Sequence, residues 1–111
     1  MKARIPGAPN QANMMKKIQE MQENMQKKQE EVENTEFSAS AGGGAVEITV
    51  NGKHELLSVK IKPEVVDPEE TDMLEDLVLA CANEALRKAS ETMDREMSKF
   101  TEGMPSIPGL F

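Results

Sequence analysis

Apolar residues early in the chain recur at helical spacing. Met14, Ile18, Met21, Met25 and Val32 follow one another at intervals of four, three, four and seven, and Lys28 fills the seam position inside the longest step. Glu, Gln and Lys occupy most of the rest, with no Gly or Pro through Asn34, so the spacing predicts a helix over residues 13–34. The period then drops to two. Phe37, Ala39 and Ala41 alternate with polar residues, as do Val46, Ile48 and Val50; Leu57, Val59 and Ile61 alternate with Leu56, Ser58 and Lys60. Three antiparallel strands within residues 36–62 are expected, joined by Gly42-Gly43-Gly44 and by Asn51-Gly52 and closed by Pro63. A two-residue Asn-Gly loop sets Val46 opposite Leu57. A four-residue loop moves the partner but keeps the parity, so either gives one apolar and one mostly polar face.

Asp67-Pro68-Glu69-Glu70 has the form of a helix start: a capping Asp, Pro at the first helical position and Glu three residues after the cap. Thr71 and Asp72 offer a restart after a short turn. Helix is expected over 68–101, with Gly103 as its stop. Residues 73–82 are apolar nearly all round, which predicts burial on more than one side; Ala85, Ala89, Met93, Met97 and Phe100 then narrow to one stripe. Residues 1–12, with Pro6, Gly7 and Pro9, read as a loose arm, and 103–111 as a tail. The whole is one α+β domain of order α-β-β-β-α over residues 1–111. Six-residue strands span roughly 20 Å, whereas helices over 14–34 and 72–101 span roughly 31 and 45 Å. Both helices outrun the sheet, so their overhanging parts can lie antiparallel as arms. With free ends coinciding, Met14 comes near Phe100, and Lys16 and Lys17 near Arg95 and Lys99.

Composition sharpens this picture. Of 111 residues only Phe37, Phe100 and Phe111 are aromatic, so the core is thin and a second copy is expected to help cover it. The net charge of −7 conceals a gradient. Residues 1–28 hold six basic and two acidic side chains, residues 29–111 hold seven basic and eighteen acidic, and residues 64–76 hold seven acids and no base. The arms' free ends are basic and the body acidic. Nothing approaches the roughly 20 apolar residues of a membrane helix, and the N-terminus lacks a signal-peptide pattern, which makes the cytoplasm the expected compartment.

The candidate chemistry is cationic. Lys16, Lys17, Lys27 and Lys28 on the first helix, with Arg95 and Lys99 on the last, can contact phosphates; the four lysines can equally form a solvated face paired at helical spacing with Glu20, Glu23 and Glu31, and Arg95 and Lys99 flank Asp94 and Glu96. The single Cys81, in an apolar run, reads as a buried inert thiol, and the single His54 as a solvated hairpin-tip residue. The three glycines precede no helix and lack a phosphate-loop context. No nucleophile–base pair or metal-ligand cluster stands out around Glu75, Asp76 and Glu84, so no catalytic, metal or cofactor residue is assigned and no small-molecule substrate is expected.

Several blocks resemble the YbaB/EbfC family of bacterial nucleoid-associated proteins: MMKKIQEMQENMQKKQEE, AGGGAVEITVNGKHELLSVKI, MLEDLV followed by ANEALRKA, and GMPSIPGLF. The resemblance implies a cytoplasmic, nucleoid-located homodimer whose small sheets form a central body with projecting helical arms. It also implies binding to double-stranded DNA with low sequence preference, nucleoid organisation and an influence on gene expression. The alternative from the residues alone is a protein-interaction or holdase-type coiled-coil module, for which a Met-rich stripe is also suited.

Overall fold

A computed structural model describes residues 10–101 of the chain. The order is α1 (Asn10–Glu33), β1 (Glu36–Ala41), β2 (Val46–Asn51), β3 (Leu56–Ile61), a 3-10 turn (Pro63–Val65) and α2 (Thr71–Thr101). The α-β-β-β-α order of the sequence is therefore the order of the fold. Helix α1 takes in the last residues of the expected loose arm; the rest of that arm and the tail from 103 lie outside the described residues.

The strands form one antiparallel sheet in the order β1-β2-β3. Its centre is β2, whose Val46, Ile48 and Val50 are fully buried. Against them lies a stripe of small residues on α2, Cys81, Ala85 and Ala89, with Ala39 of β1 beside it. Small side chains at i, i+4 and i+8 let the helix settle close to the sheet, and β-branched residues fill the space from below. Phe37, Ala41, Leu74, Leu77, Val78, Ala82 and Leu86 surround this centre, half-buried. The Cys81 thiol is buried and donates to the Ala39 carbonyl at 3.1 Å.

Three local expectations need correction. The β2–β3 connection is wider than two residues: Asn51 N–H donates to Glu55 O at 3.0 Å and His54 N–H to Asn51 O at 3.0 Å. The Asn51 side chain takes the Lys53 and Glu55 N–H groups on its Oδ1, which draws Asn51 to the base of the turn instead of its tip. His54 adopts the left-handed conformation (φ 66°), and its Nε2 sits 2.7 Å from Ser90 Oγ on α2. It is a tie between hairpin and helix, although its surface remains exposed. Val46 consequently pairs with Ile61 and Ile48 with Val59, and a register shift leaves Leu57 bulged between Leu56 and Ser58. The parity survives, because the wider turn and the bulge together move the register by an even number.

Asp67-Pro68 opens a turn and not the helix. Glu70 N–H donates to Asp67 O at 2.9 Å, Glu69 N–H to Asp67 Oδ1 at 3.0 Å, and α2 starts at Thr71. The apolar run at 73–82 is covered by its own chain on one side only. Helix α2 lies across β1 and β2, which leaves Leu56, Leu57, Val59 and Ile61 of β3 and Met73 and Leu79 of α2 exposed.

Both helices are fixed at the β2–β3 turn. Gly52 N–H donates to Glu33 O at 3.2 Å, closing the C-terminal end of α1, and Thr35 Oγ1 donates to Glu31 O at 2.7 Å. An added Cβ on Gly52 would stand 2.0 Å from the Val32 carbonyl oxygen, so the approach requires glycine.

Candidate nucleic-acid interface

Beyond the sheet, α1 and α2 run antiparallel away from the β2–β3 turn. The fixed point between them is electrostatic. Lys28 Nζ lies 2.9 Å from Glu31 Oε2 on its own helix and 3.8 Å from Glu96 Oε1 on α2. Glu96 also receives Lys99 Nζ at 2.8 Å and lies 3.9 Å from Arg95 Nε. One carboxylate, its side chain only 18% exposed, thus faces three cations. The Lys99 hydrogen bond and then the charges of Lys99, Lys28 and Arg95 hold the Glu96 carboxyl below its usual range. The Glu31 hydrogen bond and charge, with a smaller contribution from Glu96, push the Lys28 ammonium up.

The six candidate cations therefore divide. Lys28, Arg95 and Lys99 gather around Glu96 at the helix seam. Lys16, Lys17 and Lys27 are exposed on α1, with none of the described carboxylates within 4 Å of their ammonium groups. Pairing with Glu20 and Glu23 does not occur; only Lys28 takes its helical partner, Glu31. Lys16 and Lys27 share the outer face of α1, because eleven residues make close to three full turns, and Lys17 and Lys28 share the seam edge by the same spacing.

The free ends do not coincide. Lys28 opposite Glu96 in an antiparallel pair puts Thr101 about level with residue 23. Helix α1 continues past the last described residue of α2 to Asn10, roughly 20 Å further, carrying Lys16 and Lys17 well beyond Arg95 and Lys99. The cause is where each helix leaves the sheet. Helix α1 runs off the sheet from its C-terminal end, whereas α2 spends its residues through Ala89 on the sheet and emerges only near Ser90. Met14 (59% exposed), Met15 (69%) and Ile18 (47%) consequently have no α2 residue against them.

The sequence showed Glu96 as an acid beside Arg95 and Lys99, but not as the carboxylate that reaches Lys28 on the other helix. Its signal was present: it stands three residues after Met93 and four before Phe100, on the same stripe that packs the arms. The acidic residues of 64–76 are exposed at the other end of α2, about 30 Å along the helix from Glu96. The acidic run is thereby held more than a Debye length from the arm cations at physiological salt. Among the described residues no group of His, Cys, Asp and Glu is arranged to hold a metal ion, and no helix is long and apolar enough to cross a membrane.

Comparison with known proteins bears on what this cationic arm meets. The sequence profile of the YbaB/EbfC DNA-binding family matches residues 7–104. A nucleoid-associated protein of Alkaliphilus metalliredigens is 56% identical over 105 residues, covering 95% of this chain and 91% of the relative. One from Clostridium perfringens is 58% identical over the same length, covering 95% and 93%. A crystal structure of a Helicobacter pylori protein superposes with a TM-score of 0.68 at 17% identity, covering 81% of this chain and 95% of that one, which shows a shared fold. With the match running from before α1 to beyond α2 at this level of identity, the chain belongs to the YbaB/EbfC DNA-binding family.

Proposed function

We propose that the protein binds double-stranded DNA as a homodimer, gripping the sugar-phosphate backbone with the cations of its helical arms, and so organises the nucleoid and influences gene expression. The observation that carries this reading is the set of lysines that meet none of the described carboxylates, Lys16, Lys17 and Lys27, on an α1 that projects away from an acidic body. Phosphate contacts of this kind supply affinity and little sequence information. Lys28, Arg95 and Lys99 add positive potential at the seam while sharing the Glu96 charge.

Strand β3 supports the reading of a second copy. The apolar row that is buried at β2 continues onto Val59 and Ile61, which face solvent together with Leu74, Val78 and Leu79 across the groove beside α2. A core cut open in this way is how an obligate interface looks from one side. A two-fold pairing lets one patch cover itself.

The test is a DNA shift assay across a salt series. If about four phosphates are neutralised per complex, log affinity should fall with log salt at a slope near −3.6, about 10²-fold between 50 and 200 mM. Charge reversal at Lys16 and Lys17 should weaken binding to unrelated duplexes about equally. Reversal at Lys60, on the sheet body, should do much less. Full binding by the Lys16/Lys17 variant with loss at Lys60 refutes the arm reading. Absence of binding at low salt, with suppression of client aggregation instead, replaces it with the holdase reading.

A further inference from the structure

The outer turns of α1 carry large apolar side chains at the surface, beside the lysines already described. Met14 and Ile18 are exposed and continue the seam, whose inner members Met21 and Met25 are half-buried. Met15 is not a seam residue. It stands about 100° round the helix from Met14, and at 69% it is the most exposed large apolar residue among those described. A helix face that meets only water has no use for an apolar group there, and apolar groups gathered at a surface mark a contact.

The helical turn places these residues relative to the cations. Met14, Ile18 and Met15 share an arc about 100° wide. Lys17 stands about 60° beyond one edge of it and Lys16 about 100° beyond the other. No carboxylate of residues 10–25 falls on the arc, whereas the exposed Gln22 does. An apolar strip bracketed by cations is complementary to the major groove of a duplex, where two phosphate walls flank a floor of base edges. The sizes agree. Helix α1 is about 10–12 Å across with its side chains, while the major groove is about 12 Å wide and the minor groove only about 6 Å. The length of α1 past the described end of α2, roughly 20 Å, suffices to cross the major groove. The apolar group on that floor is the thymine methyl, and the adenine edge beside it is the partner of a glutamine amide.

We propose that the outer turns of α1 lie in the major groove of A·T-rich duplex, with Met14, Met15 and Ile18 against thymine methyls and Lys16 and Lys17 on the phosphates to either side. This contact rests on the DNA-binding reading above and adds a base preference to it. The lysines hold the arm to any duplex, and the apolar arc makes it settle where methyls line the groove. Methionine suits the task, because its unbranched thioether adapts to methyls in differing positions. The preference is therefore for thymine content and not for one defined site.

Binding of the full chain to short duplexes that differ only in base methyls tests it at low salt. An A·T duplex is made with thymine and again with uracil, which lacks the methyl. A G·C duplex is made with cytosine and again with its C5-methylated form, which carries a methyl at the same groove position. The parent should bind the thymine duplex about fourfold more tightly than the uracil one for each methyl buried, and the methylated G·C duplex more tightly than the plain one. A Met14→Gln/Met15→Gln variant keeps good helix formers and every cation. It should bring each ratio below about twofold, since only Ile18 remains against the methyls, while its salt slope stays that of the parent. Circular dichroism checks that its helix content is unchanged. Equal binding of the thymine and uracil duplexes by the parent overturns the groove contact and leaves the phosphate grip standing. Discrimination undiminished in the Met14→Gln/Met15→Gln protein overturns the part given to the methionines. A parent that binds no duplex removes the DNA-binding reading and the groove contact together.

Discussion

Replacing Gly52 with Ala isolates the contact on which α1 hangs. The new Cβ would stand 2.0 Å from Val32 O, 2.5 Å from Val32 C and 2.8 Å from Glu33 Cα, where ordinary contact begins at 3.4 Å. All three are main-chain atoms of the helix end, so no rotamer change relieves the clash. The turn and the helix must part by more than 1 Å. Separation also stretches the Gly52 N–H to Glu33 O bond, now 3.2 Å, and opens the buried Val32 to water. Overpacking costs about 1–3 kcal/mol and a lost hydrogen bond about 0.5–1.5 kcal/mol, giving a destabilisation of about 2–4 kcal/mol. Urea unfolding at fixed protein concentration, followed by circular dichroism, should show a midpoint lower by about 1–2 M, given m values of about 2 kcal/mol/M. Gly43→Ala is the control with the opposite cause. Gly43 has φ 68° and open space around it, so only left-handed strain of about 1 kcal/mol applies. A Gly52→Ala protein within about 0.5 kcal/mol of the parent, or a Gly43→Ala protein hurt more, would refute the steric reading.

Glu96→Gln should lower the melting temperature at neutral pH. Because the folded carboxyl sits below its ordinary value of 4.5, that stabilisation is present above about pH 4.5 and lost as pH falls through the folded value, so the variant and parent melting curves should converge in acid. The same variant should bind DNA more tightly at low salt, since three cations lose their shared anion; weaker binding would contradict this. Cys81→Ala should cost about 1–2 kcal/mol, and native Cys81 should react with thiol reagents only as fast as the protein opens; rapid labelling would count against it. Size exclusion with light scattering should return about twice the 12.3 kDa chain mass, and Val59→Asp should reduce it to the chain mass; a parent that runs as a folded monomer would remove the dimer.

What the sequence made legible was everything with a short period. The α1 stripe, the three alternating strands and the Ala85–Phe100 stripe are local patterns, and each became the expected element. The facing of the β2–β3 pair was legible even with the wrong turn, because parity survives an even change of register. Asp67-Pro68 misled for a physical reason: a helix cap and an Asx turn use the same side-chain oxygen on an N–H two or three residues ahead. The arm register was illegible because it depends on where α2 leaves the sheet, which is set by how far the Cys81–Ala85–Ala89 stripe extends under tertiary packing. Lys28 shows the boundary well. Its heptad position marked it as a seam residue, its charge marked it as a phosphate contact, and only its distances to Glu31 and Glu96 separate the two roles.

The antiparallel register of the arms also dictates the order in which the chain assembles. β1 with β2 and β2 with β3 join neighbours through short turns, so their closure entropy is small and both hairpins form early. The Lys28–Glu96 contact joins residues separated by the whole sheet and most of α2, so it closes after both hairpins and the helix–sheet core are in place. What closes last over an already folded core opens first. The contacts that join the two helices lie apart from the packing of Val46, Ile48 and Val50, so the helix pair and the sheet core are two separate packing units that share only the base of the arm.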